Sequence, residues 1–387
     1  MDASRGVSLQ SQSIWIRILS LVGRILLAVG IPLIAFYVLY VGFIFLRDSD
    51  APRGIIALVA IVWGVGGVAL LFWVFNGLVE RLPVALRTRL LPFVFVGPGM
   101  AILAWYLAIP TLRTFWISLF SRDGPQPGLG FFQVLASESF VGLRNYVAVF
   151  TEQLMLQSFR NNLMWIVFGS TFSVVFGLLI AVLADRSSFE RIAKSFIFLP
   201  MAISFVGAGI IWNFIYEYRP AGQAQIGLLN EIVVALGGTP QAWPQWVDIA
   251  PWNNLFLIVI MIWLQAGFAM VLFSAALKGI PDELLEASRI DGANEFQIFF
   301  RIMLPSIRGT IVSVWTTIVI FTLKIFDVVW VMTGGQFGTH VIATQFYRQS
   351  FTNRNSGFGS AIAIVLLLAV VPVMIYNLRQ FRKREAF

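Results

Sequence analysis

The chain has 387 residues, of which 58% are hydrophobic and only 12% charged, with a formal net charge of +8. That composition excludes an ordinary soluble domain. The absence of cysteine excludes disulfides, thiol catalysis and thiolate metal sites, and one histidine, His340, is too few for a histidine metal centre and reads as an ordinary loop residue.

A helical crossing of the hydrocarbon core needs about 20 apolar residues. Eight runs qualify in chain order: 18–46, 55–79, 92–118, 160–184, 194–216, 253–277, 307–331 and 357–378. The first is too long for a cleavable signal and lacks a small-residue cleavage site after it. Glycines 64, 66 and 67 fall inside an apolar run, where helix packing explains them better than phosphate binding. The outside loops near 119–159 and 217–252 exceed simple connectors. Gly124-Pro125-Gln126-Pro127-Gly128 cannot continue a helix. Trp243, Trp246 and Trp252 suit an aromatic belt at the membrane surface.

With both termini cytoplasmic, 16 of the 27 Lys and Arg lie in inside segments and 9 outside. The positive-inside rule therefore favours that orientation. Basic residues spread over short loops do not form a nucleic-acid face. The cluster from Arg379 to Arg384 suits attraction to anionic lipid. No Gly-x-x-x-x-Gly-Lys-Ser/Thr loop occurs, so no phosphate cradle is expected on this chain. No carboxylate has a partnered histidine or cysteine either, and no catalytic residue is assigned. Lys324 and Asp327, three residues apart in the seventh run, are expected to share a helix face and pair there.

Between the sixth and seventh runs, residues 279–305 carry charges of both signs. Leu284, Leu285, Ile290, Phe296, Phe299, Phe300 and Met303 recur at helical steps, predicting two short amphipathic helices flanking a turn at Gly292. The order Glu286-Ala287-Ser288, then Gly292, then Ile302-Met303-Leu304-Pro305 resembles the EAA loop of binding-protein-dependent ABC import permeases, with Ser288 in place of the usual second alanine. Residues 277–281 and Ile290-Asp291-Gly292-Ala293 resemble the carbohydrate-import, maltose-type (MalF-like) branch. Gly142-Leu143-Arg144-Asn145-Tyr146, Phe198-Leu199-Pro200, Gly227-Leu228-Leu229-Asn230 and Thr333-Gly334-Gly335 add to the likeness, which covers about 92–380. The usual Gly-Pro after the last of these is Gln336-Phe337 here.

The resemblance implies an all-α polytopic membrane protein. Its parts are a six-helix permease (MetI-like) core over 92–380, an N-terminal extension over 1–91 with two further spans, and a cytoplasmic tail over 381–387. It implies a non-catalytic subunit, multi-pass in the cytoplasmic (inner) membrane of a bacterium or archaeon. The implied partners are a second permease subunit, two ATP-binding cassette subunits carrying ATP and Mg, an extracytoplasmic solute-binding protein and membrane lipid. Glu286, Ala287, Ser288, Asp291, Gly292, Ala293 and Phe296 would couple the chain to the ATPases, with Glu286 and Asp291 orienting the loop through hydrogen bonds or ion pairs. Aligning the flanking spans carries the branch's ligand positions onto Met261, Leu264, Gln265, Phe268, Thr317, Phe321 and Lys324; Met261 and Leu264 are equally explained as packing. The implied cargo is a neutral disaccharide, an α-glucoside or a glucosyl-polyol. An ion-gradient-coupled carrier for a small polar solute is the alternative, with Lys324 and Asp327 as its intramembrane charges.

Overall fold

In the computed structural model, residues 30, 33–80, 82–126, 128, 130–185 and 187–384 are described. The beginning of the first expected span, Arg5, Arg17, Arg24, Arg81 and Arg186, and residues 385–387 lie outside that set. Among the described residues the chain is helical and has no β-strand, only an isolated antiparallel bridge between Phe120 and Phe140. Two compact units divide between Pro110 and Thr111.

The first unit holds α1 (33–48), α2 (Arg53–Glu80) and α3 (Val84–Leu103). Phe72 and Phe95 meet edge to face at 5.0 Å, and the indole N–H of Trp63 donates to the Leu39 carbonyl. Most other large side chains of these helices face outward, as expected of surfaces solvated by lipid. A π-helical turn, Ala104–Ala108, leads into α4 (Ile109–Ser118), within which the unit boundary falls.

The second unit follows with α5 (Phe131–Leu135), α6 (Arg144–Thr151) and α7 (Gln153–Met164). A π turn then joins α7 to α8 (Thr171–Asp185). Next come α9 (Glu190–Phe198), α10 (Phe205–Ile215), α11 (Leu228–Ala235) and the long α12 (Asn254–Lys278). The charged loop forms α13 (Asp282–Ile290), α14 (Glu295–Ile298) and α15 (Leu304–Ser306). The chain ends with α16 (Arg308–Leu323), α17 (Asp327–Thr333), α18 (Ile342–Tyr347) and α19 (Ser356–Arg384).

Among the described residues four helices are long and apolar enough to cross a membrane, at Arg53–Glu80, Gln153–Asp185, Asn254–Lys278 and Ser356–Arg379. Two bent pairs raise the number to six. The expected span 194–216 is one of these. Pro200 lies in a 3-10 turn, Ile203 is extended, and Ser204 caps α10 by accepting from the Gly207 amide, so the axis turns by 103°. The expected span 307–331 is also broken, because α16 stops at Leu323 and α17 begins afresh at Asp327. Hydropathy reads the apolar content of such stretches but not their change of direction.

α12 is the central post, with fourteen buried residues including Leu257, Met270 and Phe273. Glycines set how closely its neighbours approach. A Cβ on Gly177 of α8 would lie 2.4 Å from Ala269 Cβ and 3.0 Å from the Ala266 oxygen. A Cβ on Gly267 would meet the Ile197 carbonyl of α9 at 2.5 Å. Backbones this close gain dispersion contacts, which have to replace the hydrophobic driving force that lipid does not provide.

Candidate functional site: the helical loop and the broken spans

The loop begins where α12 exhausts its apolar residues. Gly279 caps that helix, Ile280 is buried, and Pro281 precedes α13. Asp282 and Glu283 sit in the first turn of α13 and Arg289 in its last, each complementing the helix dipole. Gly292 has φ +82°, a left-handed conformation that ends the helix, and the amide of Ala293 donates back to the Ser288 carbonyl at 3.0 Å. Two residues on, Asn294 and Gln297 form a reciprocal capping box at 2.9 Å each, starting α14. An ion pair from Arg289 to Glu295 at 3.2 Å ties the two helices together. The loop is thus stiff at both ends of its turn.

Its two faces differ. Leu285 and Met303 pack on the main core, Ile298 is buried, and Ser288 is buried with its hydroxyl donating to the Leu284 carbonyl. Serine in the second alanine position therefore keeps its polar group satisfied within its own helix. The other face carries Ile290 at 85% exposure, Phe296 at 76% and Phe300 at 57%. Phe296 and Phe300 stack with ring centres 5.8 Å apart. Phe299 is half-buried and meets Phe300 edge to face at 4.9 Å, whereas Phe296 stays exposed. Glu286, Ala287 and Asp291 are exposed with no side-chain hydrogen bond or ion pair among the described residues. Within this chain the Arg289–Glu295 pair and the capping box tie the loop, and the two acids are left facing outward.

Beside the loop, three helix ends meet in an ionic cluster. Lys194 pairs with Asp185 and, at 2.6 Å, with Glu190; Lys278 also pairs with Glu190; Ser274 donates to Asp185 at 2.8 Å. Hydrogen bonds from Lys194 and Lys278 hold the Glu190 carboxylate down at about 2. A cleft of about 430 Å³ separates Asp185 and Lys278 from Asp282, Leu285 and Arg289 of the loop. A depressed carboxylate pKa adds stability that is complete above the unfolded value of 4.5 and is lost as pH falls through about 2. Glu190→Gln should therefore lower the melting temperature at pH 7 by a few degrees at most. The gap to the parent should close below pH 4.5, as differential scanning fluorimetry across pH will show.

Deeper in the bundle, Met261 and Leu264 of α12 belong to the buried core. The Thr322 hydroxyl approaches the Met261 sulfur at 3.6 Å. Gln265 is 7% exposed and makes no side-chain hydrogen bond among the described residues, while Phe268 is half-buried beside it. On α16, Thr317 donates to the Ser313 carbonyl, and Phe321 and Lys324 are exposed. The expected Lys324–Asp327 pair is not formed. Lys324 closes α16, Phe326 has φ −137°, and Asp327 opens α17, so the two charges lie on different helices.

Residues 173–384 match the family described as binding-protein-dependent transport system inner membrane component. This chain is a member of that family. The permease is 54% identical over 291 residues to the osmoprotective compounds uptake permease protein GgtC of Synechocystis, covering 75% of this chain and 99% of that protein. It is 46% identical over 332 residues to the alpha-glucoside transport system permease protein AglF of Rhizobium meliloti, covering 84% and 94%. In fold it is similar to a chain of a bacterial ABC transporter involved in import of the acidic polysaccharide alginate, with TM-score 0.62, 20% identity, and 77% and 97% coverage.

Sequence reading missed the polar clamp at the opposite end of the permease. Asn161 of α7 donates to the carbonyls of Gly338 and His340, and Asn162 accepts from the Ile342 amide. These two buried amides hold the turn between α17 and α18; a pair of asparagines at the edge of an apolar run was the available signal. His340 is buried in that turn, contrary to its reading as an ordinary loop residue. Arg348 can only donate, so Nε2 of His340 accepts from it at 3.2 Å and Nδ1 carries the proton toward Thr344. Burial and the Arg348 charge lower the imidazole to about 4. The unfolded chain then binds the extra proton between pH 6.5 and 4, so this residue removes stability as pH falls through that window. His340→Gln should flatten the loss of melting temperature between those pH values. Trp243, expected at the membrane surface, packs partly on the core with its ring centre 5.1 Å from that of Phe256, while Trp252 is exposed.

Proposed function

We propose that the chain is one permease subunit of an ATP-driven importer for a neutral sugar or sugar-like solute: a disaccharide, an α-glucoside or a glucosyl-polyol. It works with a second permease subunit, an extracytoplasmic solute-binding protein and two ATPase subunits that carry ATP and Mg. The observation that carries this reading is the stiff loop with Ile290, Phe296 and Phe300 displayed outward. Apolar knobs on a charged, capped helix pair belong in a partner's groove rather than in water. Membership of the family and the names of the two relatives support it.

The excess of Lys and Arg in the segments on the loop's side supports a cytoplasmic loop and cytoplasmic termini, where ATPase subunits can be reached. Glu286, Ala287, Asp291, Gly292, Ala293 and Phe296 would meet the ATPase, and Ser288 would seat the loop on its own chain. Closure of the ATPases then displaces the loop as a rigid body. Its motion passes into α12 and across the 68° bend into α16, tilting the spans between inward-open and outward-open states. Gln265, with idle hydrogen-bonding capacity next to Phe268, is the best placed of the expected substrate contacts. Thr317, Phe321 and Lys324 would complete a site from the α16 side, while Met261 and Leu264 serve as packing beneath it.

The ion-coupled carrier loses its main support with the separation of Lys324 and Asp327. The test is uptake of radiolabelled maltose by liposomes holding the complete importer and its binding protein. Uptake should require internal ATP and ignore ionophores. Uptake that continued without ATP under an ion gradient would overturn the reading.

A further inference from the structure

At the end of the bundle opposite the helical loop lies a polar recess of about 190 Å³. Asn213 of α10, Tyr216, Glu217 and Tyr218 just beyond that helix, Gln245, and Met332 of α17 line it. Its walls are tightly built. The Asn230 side chain is fully buried and donates to the carbonyls of Glu217 and Gln241 at 2.8 and 3.0 Å, while its oxygen accepts from the Gln241 amide. Buried Asn253 donates to the Pro244 carbonyl at 3.0 Å, and the Tyr216 hydroxyl donates to the Phe256 carbonyl at 2.9 Å. Gly227 sits so close to Glu217 that a Cβ there would lie 2.2 Å from its carbonyl oxygen.

The lining side chains are treated differently. Asn213, half-buried, and Glu217, Tyr218 and Gln245, exposed at the rim, line one recess and make no side-chain hydrogen bond or ion pair among the described residues. The structural amides hold the walls, and the donors and acceptors that face the space are left over.

We propose that this recess is an outer subsite for a polyhydroxylated solute, occupied before the solute reaches the middle of the bundle. Glu217 can only accept, so it calls for hydroxyl donors, and the amides of Asn213 and Gln245 both donate and accept. Met332 and the tyrosine rings offer apolar surface to the C–H faces of a sugar or polyol. A volume below the usual range of about 300–1,000 Å³ for small-molecule sites suits one ring or one polyol arm. A single carboxylate is a poor nest for a divalent cation, which takes several oxygen ligands, and no group of three or more acidic or histidine side chains that could hold a metal occurs among the described residues.

Position agrees with the chemistry. The recess is at the level of Phe256 on α12, and Gln265 lies nine residues further along that helix, roughly 13 Å deeper. Trp212 and Trp263 pack edge to face at 5.9 Å between the two levels. A solute released at the outer end would meet the recess first and Gln265 second. This inference rests on the sugar-importer reading only for the direction of travel.

Two measurements test it. In liposomes holding the complete importer and its binding protein, Glu217→Gln and Asn213→Ala should each raise the KM for maltose uptake about tenfold, the effect of one lost ligand hydrogen bond. The maximal rate and the affinity of the binding protein for maltose should not change. In nanodiscs without the binding protein, saturation-transfer NMR should show maltose signals that fade in both variants. Unchanged KM and unchanged NMR signals in the double variant would overturn the subsite. Sodium-dependent uptake that Glu217→Gln abolishes would overturn it in favour of a cation site. If the parent bound maltose in the NMR experiment but imported none, the transport reading would fail and the subsite would stand.

Discussion

Replacing Gly292 by proline should leave the subunit inserted and assembled while maltose uptake falls at least ~100-fold, the equivalent of about 3 kcal/mol in coupling. The cause is local. Gly292 has φ +82°, and proline locks φ near about −65°, so the turn between α13 and α14 cannot form. Ala293 would lose its bond to Ser288, and the Arg289–Glu295 pair would lose its geometry. Two further variants separate backbone from bulk. A Cβ at this position has nothing within 4 Å, so Gly292→Ala carries only the left-handed strain of about 1–2 kcal/mol. Asparagine tolerates that conformation better and should retain most of the uptake. Measured as substrate-stimulated ATP hydrolysis against uptake, proline should uncouple the two. If both survived in Gly292→Pro, the role assigned to the loop would be wrong.

Gly177→Leu should have the largest effect on the fold itself. Ala269 Cβ, the Ala266 carbonyl and the Met270 amide would all lie within 3.0 Å of the new Cβ, and two of the three are backbone that cannot rotate away. Overpacking of this kind costs about 1–3 kcal/mol and lowers the melting temperature by a few degrees. Size-exclusion chromatography of the detergent-solubilised protein should show loss of the monodisperse peak, with Gly177→Ala intermediate. A monodisperse Gly177→Leu with an unchanged melting temperature would mean that α8 and α12 do not approach through this glycine.

The loop was legible because each of its signals is local. Helical recurrence of Leu285, Ile290 and Phe296, a glycine where the chain must turn, and acids and bases placed by helix polarity are all properties of a few neighbouring residues. The resemblance to the EAA loop used the same stretch. The expected ligand positions were harder to read. Gln265 and Met261 are one helical turn apart, yet only packing leaves the first with idle hydrogen bonds and seals the second inside the core. The Lys324–Asp327 pair failed because spacing predicts a shared face only while a helix continues, and Phe326 interrupts it. The recess near Glu217 was invisible, since Asn213, Gln245 and Met332 come from separate segments.

By itself, the sequence determined that the chain is a helical membrane protein with a charged helical loop and, through that loop, its family. Apolar run length and charge placement are sums over neighbouring residues, and lipid leaves helices few alternatives. Only the tertiary structure decided where spans break, which face of the loop is displayed and which polar groups are used up in the walls. Those outcomes depend on backbone approach at Gly177 and Gly267 and on amides such as Asn161 and Asn230, whose partners lie far along the chain or across a turn. Pairwise fit between distant segments leaves no periodic trace in the order of the residues.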